Sequence, residues 1–180
     1  GGGEQVADKG HPFVFGAGIA DRTWVDVRAR ARLFARVGAS SSGLVTLTNA
    51  GDPVRLSGAM VTAGFFETLG ITPPVGRSFG RDDEMVGAEP VVILSDALWR
   101  DRFGADPRII GRPIMLDGVH HTVVGVMPRG FTYPKDARLW RPLVVRIVPN
   151  RSQLYSVIGR LRDGVTREQA TAELTSIAAG

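Results

Sequence analysis

The sequence predicts an α+β fold in which strands and helices are mixed and several strands pair as antiparallel hairpins. Three observations carry that prediction. Pro90–Leu94 is a wholly apolar, β-branched run suited to a central strand. Asp117-Gly118 sits between the segments Ile114–Leu116 and Thr122–Val126 and is among the strongest short hairpin signals. Thr166-Arg167-Glu168-Gln169 is a capping box opening a helix with Ala170, Leu174, Ile177 and Ala178 on one face.

Along the chain, residues 1 to about 20 are Gly-rich and read as a loose lead-in holding at most one strand around Phe13-Val14-Phe15. From Trp24 to Val37 the apolar residues Trp24, Val27, Ala31 and Phe34 recur at spacings of three and four, which predicts an amphipathic helix. Arg28, Arg30, Arg32 and Arg36 fall mostly on its wet face, and Gly38 with Ser40–Ser42 is expected to end it. A hairpin of Leu44–Thr48 and Val54–Met60 follows, turning through Asn49-Ala50-Gly51-Asp52-Pro53. Thr62 is expected to cap a short helix through Phe65, Phe66 and Leu69, with Gly70 as its exit. Asp82-Asp83-Glu84 reads as an exposed acidic loop.

After the central strand, Ser95 is the N-cap of a helix that buries Leu98, Trp99 and Phe103 and stops at Gly104. Asp106-Pro107 through Gly111 repeats the same logic in one turn: an acidic cap, Pro at the first position, Gly at the exit. Ile114–Leu116 and Thr122–Val126 form the hairpin around Asp117-Gly118. Leu139–Leu143 and Leu154–Leu161 are further extended pieces.

Composition bounds the function. At 180 residues the chain fits one medium domain or two small lobes. A chain of this length buries roughly 70% of its unfolded surface and needs neither metal nor disulfide to fold. It has no cysteine, which excludes disulfides, thiolate zinc sites and cysteine nucleophiles. The net charge is +4 and most of the 22 basic residues are Arg, yet the charges are interspersed, as on an ordinary solvated surface. Its longest apolar runs have the length of strands, far short of the roughly 20 residues of a spanning helix. No basic-then-apolar leader pattern follows Gly1-Gly2-Gly3-Glu4, so delivery out of the cytoplasm would need a segment beyond this chain.

Motifs of phosphate binding, hydride transfer, acyl transfer and metalloproteolysis are absent from the sequence. His120 and His121 are neighbours in a strand and point to opposite faces, which argues against one shared metal; His11 is the remaining histidine. Asp82, Asp83, Glu84 and Glu89 lack the alternating ligand spacing of a calcium loop and read as solvated acids. Most of Trp24, Trp99, Trp140, Phe65, Phe66, Phe79, Phe103 and Phe131 fall on core-facing positions, so core packing is expected rather than base-stacking platforms. The sequon Asn150-Arg151-Ser152 is read as chance. The residues thus nominate no catalytic, cofactor-binding or metal site.

Several phrases in order resemble the MacB-like periplasmic core domain of FtsX-like ABC-transporter permeases. They are Ser57–Gly70 (SGAMVTAGFFETLG), Pro74–Phe79 (PVGRSF), Pro90–Trp99 (PVVILSDALW), Phe103–Pro107 (FGADP), Ile110–Arg112 (IGR), Leu116–Gly118 (LDG), Thr122–Pro128 (TVVGVMP), Leu139–Leu143 (LWRPL) and Gly159–Thr166 (GRLRDGVT). The resemblance covers residues 22–180 as the core domain, with 1–21 a poorly matched lead-in and an inserted lobe at about 90–145. It implies an α+β domain with a porter-like lobe and a smaller inserted lobe, and it carries no catalytic residue. It further implies a non-catalytic domain on the periplasmic, extracytoplasmic side of the bacterial inner membrane. There it would engage partners or substrate and couple mechanically across the membrane. The implied partners are the parent permease's membrane helices and a cytoplasmic ATPase, with a periplasmic adaptor and a homodimer beyond these; nucleic acid is not expected. In the resembled family a further strand follows the position of Gly180, so one sheet edge is expected to be open. Two other classes compete. A small enzyme would require a pocket holding a carboxylate with a displaced pKa, and a basic nucleic-acid-binding module would require a contiguous Arg face. The loops Arg81–Glu89 and 129–138 are the expected partner surfaces.

Overall fold

The computed structural model describes residues 12–180, with the side chains of 12–15 and 17 excepted. The chain divides into two compact units, one made of the chain through Ser40 with Gly64–Ile71 and Val145–Gly180, the other of Ser41–Ala63 and Thr72–Val144. Among the described residues four α-helices and nine strands, with antiparallel and parallel pairings, make an α+β architecture.

The first unit contains β1 (Pro12–Ala20), α1 (Asp21–Arg30), the opening of β2 (Phe34–Thr48), α2 (Phe65–Leu69), β9 (Leu154–Leu161) and α4 (Arg167–Ala179). β9 lies between β1 and β2 and runs antiparallel to both, with Ile19 opposite Tyr155 and Val37 opposite Gly159. A helix follows β1 and another follows β9, which is split-βαβ connectivity. α1 and α4 pack on each other. Trp24 and Val27 of α1 and Ala170 and Ile177 of α4 are buried, whereas Ala178, expected on that face, is exposed.

The predicted helix over Trp24–Val37 is shorter in the structure and begins earlier, at Asp21. It leaves helical geometry at Ala31, and Phe34–Ser40 pairs with β9 instead. Two long-range interactions override the helical spacing. The Glu173 carboxylate accepts the amides of Arg32 (3.1 and 3.0 Å) and Leu33 (3.2 Å), and Phe34 packs with Ala170. Gly38 and Ser40–Ser42, expected to stop a helix, lie inside β2. Gly38 is there because the chain passes close by: a Cβ at this position would stand 2.9 Å from the Phe65 Cα.

α2 also starts differently from expectation. Gly64, at φ 86°, is its N-cap, and Thr62 lies two residues too early to cap it. Gly70, at φ 75°, closes the helix as expected.

The second unit contains the rest of β2, then β3 (Val54–Val61), β4 (Val75–Gly76), β5 (Val91–Leu94), α3 (Asp96–Phe103), β6 (Pro113–Leu116), β7 (Val119–Val126) and β8 (Leu139–Pro142). The strands neighbour one another in the order β2-β3-β8-β5-β7, and β6 pairs with both β7 and β2. The six strands therefore close into a ring, with β4 lying along the last residues of β7. Val45, Leu47, Val92, Leu94, Leu116 and Leu139 form its core, and α3 adds Leu98 and Phe103. β5 is buried at all four residues because it lies between β8 and β7.

Local caps and turns here follow the sequence. The Ser95 hydroxyl accepts the Leu98 amide at 3.1 Å, and Gly104 ends α3 at φ 62°. Asp106 accepts the Arg108 amide at 2.9 Å. Asp117 and Gly118, at φ 49° and 78°, make the tight turn between β6 and β7. Asp117 also accepts the Thr46 amide at 2.9 Å, which ties this hairpin to β2.

Candidate functional site

Among the described residues no group of three or more His, Asp or Glu side chains is placed to hold a metal ion. His120 and His121 face opposite ways: His120 is exposed and His121 is buried. His121 Nδ1 lies 2.9 Å from the Val119 carbonyl oxygen. Burial lowers its pKa against the effect of that hydrogen bond, and the nearby positive charge of Arg141 works in the same direction as burial. His11 lies outside the described residues.

The acidic segment is more structured than a solvated loop. Arg81–Glu84 forms a 3-10 turn whose Asp83 and Glu84 are half-buried. Asp83 accepts the Arg77 guanidinium (2.9 Å) and the Gly80 amide (2.8 Å), and Glu84 accepts the Ala63 amide. Burial opposes the charge on Asp83, but the Arg77 and Gly80 hydrogen bonds hold its carboxyl below the usual range. Glu89 accepts the Thr122 hydroxyl at 2.8 Å. Asp83 and Glu84 are thus engaged inward, while Asp82, Met85 and Val86 face solvent, the last two 63% and 65% exposed.

The 129–138 loop is likewise a built surface. Phe131 stacks on Trp140 with ring centroids 5.3 Å apart, and Trp140 Nε1 donates to the Tyr133 carbonyl at 2.9 Å. Lys135 and Asp136 stand exposed at left-handed φ of 51° and 56°. At its root Arg129 lies 3.6 Å from Asp96, a carboxylate held low chiefly by its hydrogen bond with Arg100. Both loops carry charged or apolar tips on backbones held by hydrogen bonds.

Of the aromatic residues expected in the core, Trp24, Trp140, Phe65, Phe66, Phe79 and Phe103 are buried, and Trp99 and Phe131 are half-buried. Sequence reasoning missed an apolar groove of about 210 Å³ in the first unit, between α1 and α4 and lined by Ile19, Val27, Val157 and Leu174. Its signal was the small-residue face of α4 (Thr171, Thr175, Ala178). No described helix is long and apolar enough to cross a membrane.

Comparison with known proteins gives a consistent picture. The model of the MacB-like periplasmic core domain matches residues 4–177. The macrolide export ATP-binding/permease protein MacB of Burkholderia pseudomallei (strain 1710b) is 28% identical over 167 residues, covering 89% of this chain and 24% of the relative. MacB of Neisseria meningitidis serogroup B is 28% identical over 143 residues, covering 77% and 22%. The chain thus spans about a quarter of the length of these relatives. The periplasmic region of MacB from Actinobacillus actinomycetemcomitans shares the fold with a TM-score of 0.72 at 17% identity, covering 90% of this chain and 73% of that one. The extracellular domain of the noncanonic ABC-type transporter YknZ from Gram-positive bacteria gives 0.69 at 15% identity, covering 90% and 85%.

Proposed function

This chain belongs to the MacB-like periplasmic core domain family, and from that membership we propose that it is a non-catalytic extracytoplasmic domain of an ABC-transporter permease. It engages a partner or substrate outside the membrane and couples that engagement mechanically to the membrane helices of its permease. The observation that carries this reading is the extent of the family match, residues 4–177, because a match over caps, turns and core in one order specifies the whole domain rather than a shared motif. In this reading a cytoplasmic ATPase supplies the energy, the domain works on the periplasmic side, and an adaptor and a second copy are its further partners. The segment at about 90–145 is read as an inserted lobe.

The two built loops of the second unit are the recognition elements of this proposal, with Met85 and Val86 as the apolar contact of one. The test is affinity capture with the tagged chain from the envelope fraction of its source, run across a salt series. Retrieval of a permease, its ATPase or an envelope adaptor, persisting at moderate salt, is the expected result. Capture of nucleic acid alone, lost as salt rises, would sink the proposal and advance a basic binding module instead.

A further inference from the structure

We propose that the 145–153 segment and the first turns of α1 form a face that docks on an anionic lipid bilayer. The inference deepens the reading above, since it presumes a domain working beside a membrane.

The face is held in one shape. Asp21 N–H donates to the Gln153 carbonyl at 2.9 Å, and the Asp21 carboxylate accepts the Gln153 amide at 3.3 Å. The Arg22 guanidinium donates to the carbonyls of Val148 (3.0 Å) and Arg151 (3.2 Å). Between those carbonyls the Arg151 amide returns to Val148 at 3.2 Å, closing a turn through Pro149 and Asn150, the latter at φ 64°. The segment is therefore fastened to α1 at both ends of its turn.

What it presents is aliphatic and basic. Ile147 and Val148 are 46% and 44% exposed, Val25 of α1 is 44% exposed, and Leu154 at the start of β9 is 60% exposed. Arg22, Arg146 and Arg151 are exposed alongside them. The acids of the neighbouring helix do not cancel this charge at the surface: Asp21 is buried and bonded, and Asp26 is half-buried. Exposed branched aliphatics at a turn with arginines beside them match the headgroup–acyl boundary. There apolar tips insert shallowly and guanidinium groups meet lipid phosphates. A protein partner is the weaker fit, because Val and Leu are under-represented among interface anchors and the apolar tips of this face are Val25, Ile147, Val148 and Leu154.

The experiment is co-sedimentation of the chain with phosphatidylcholine vesicles, with and without phosphatidylglycerol. The wild-type chain is expected to bind the anionic vesicles and not the neutral ones, less so as salt rises. Arg146→Glu with Arg151→Glu should weaken that binding at least about tenfold. Ile147→Ser with Val148→Ser should weaken it without changing the salt dependence. Arg55→Glu with Arg112→Glu, exposed positions of the second unit outside both recognition loops, changes net charge equally and should leave most of the binding intact. Absence of wild-type binding, or equal loss in both charge reversals, would overturn the proposal. So would binding of an acidic peptide in place of vesicles, which would assign the face to a protein. Vesicle binding is read on the chain alone, so its failure leaves the permease reading standing. Failed partner capture, conversely, leaves the bilayer face standing.

Discussion

Glu173 ends α1 from a distance of 141 residues: its carboxylate accepts the Arg32 amide through both oxygens and the Leu33 amide through one. These amides follow the last turn of α1, at the step from helix to strand. Glu173→Ala leaves the exposed Arg32 amide and the half-buried Leu33 amide without that acceptor, and a hydrogen bond to a charged group contributes about 1.5–3 kcal/mol before discounting for solvent. A loss of about 1–2 kcal/mol is therefore expected in urea unfolding, with Glu173→Gln losing less because one acceptor oxygen remains. Equal stability of all three proteins would remove Glu173 from the account of where α1 stops.

Gly38 carries a sharper constraint. Its missing Cβ is what allows the Phe65 backbone to approach β2, and backbone cannot step aside as a flexible side chain can. Gly38→Val should cost about 3 kcal/mol or prevent folding, and Gly38→Ala should fall between Val and wild type. Thermal unfolding followed by circular dichroism orders the three; a stable Gly38→Val protein would show that α2 can retreat from the strand.

These two sites mark the limit of what a sequence discloses. Ser95, the Thr166–Gln169 box and the Asp117-Gly118 turn were legible because each satisfies backbone groups within three residues of itself. The end of α1 was not, since its spacing of apolar residues continues to Phe34 while the partners that convert Phe34–Ser40 to strand lie in β9 and α4. Closure of the second unit's ring was equally hidden: it depends on Leu47 meeting Leu116, a pairing with no local signature. The two candidate loops were nominated only as loops on a rigid scaffold, with no residue singled out as the contact. The inward commitment of Asp83 and Glu84, which leaves Met85 and Val86 as the exposed apolar part, needed the positions of Arg77 and Ala63.

His121 makes stability depend on pH. Its folded pKa lies below the ordinary 6.5, first through burial and then through Arg141. The unfolded chain therefore binds the proton more readily than the folded one. The contribution is present in full above about pH 6.5 and is lost as pH falls through that value toward the folded pKa. Asp83 and Asp96, lowered from 3.8, act in the same direction but only in the carboxylate range below about pH 4. Urea midpoints measured from pH 7.5 to 5 should decline in the wild-type chain and flatten in His121→Gln. An unchanged slope in that variant would place the sensitivity elsewhere.

Met85 and Val86 can be changed without touching the bonds that hold their turn. Both side chains stand in solvent, while the turn beneath them is held by Asp83 with Arg77 and Gly80 and by Glu84 with Ala63. Replacing both with Ser removes exposed apolar area and touches none of those bonds, so folding stability should shift by no more than about 0.5 kcal/mol. If this tip meets a partner, the same change should reduce capture from the envelope fraction several-fold, because exposed apolar side chains at a rigid tip gain burial only in the complex. Asp83→Ala is the complement: it frees Arg77 and the Gly80 amide, loosening the turn, and should weaken both stability and capture. Capture that survives Met85→Ser with Val86→Ser undiminished would move the contact to another surface, with the 129–138 loop and its exposed Lys135 and Asp136 the next to be changed.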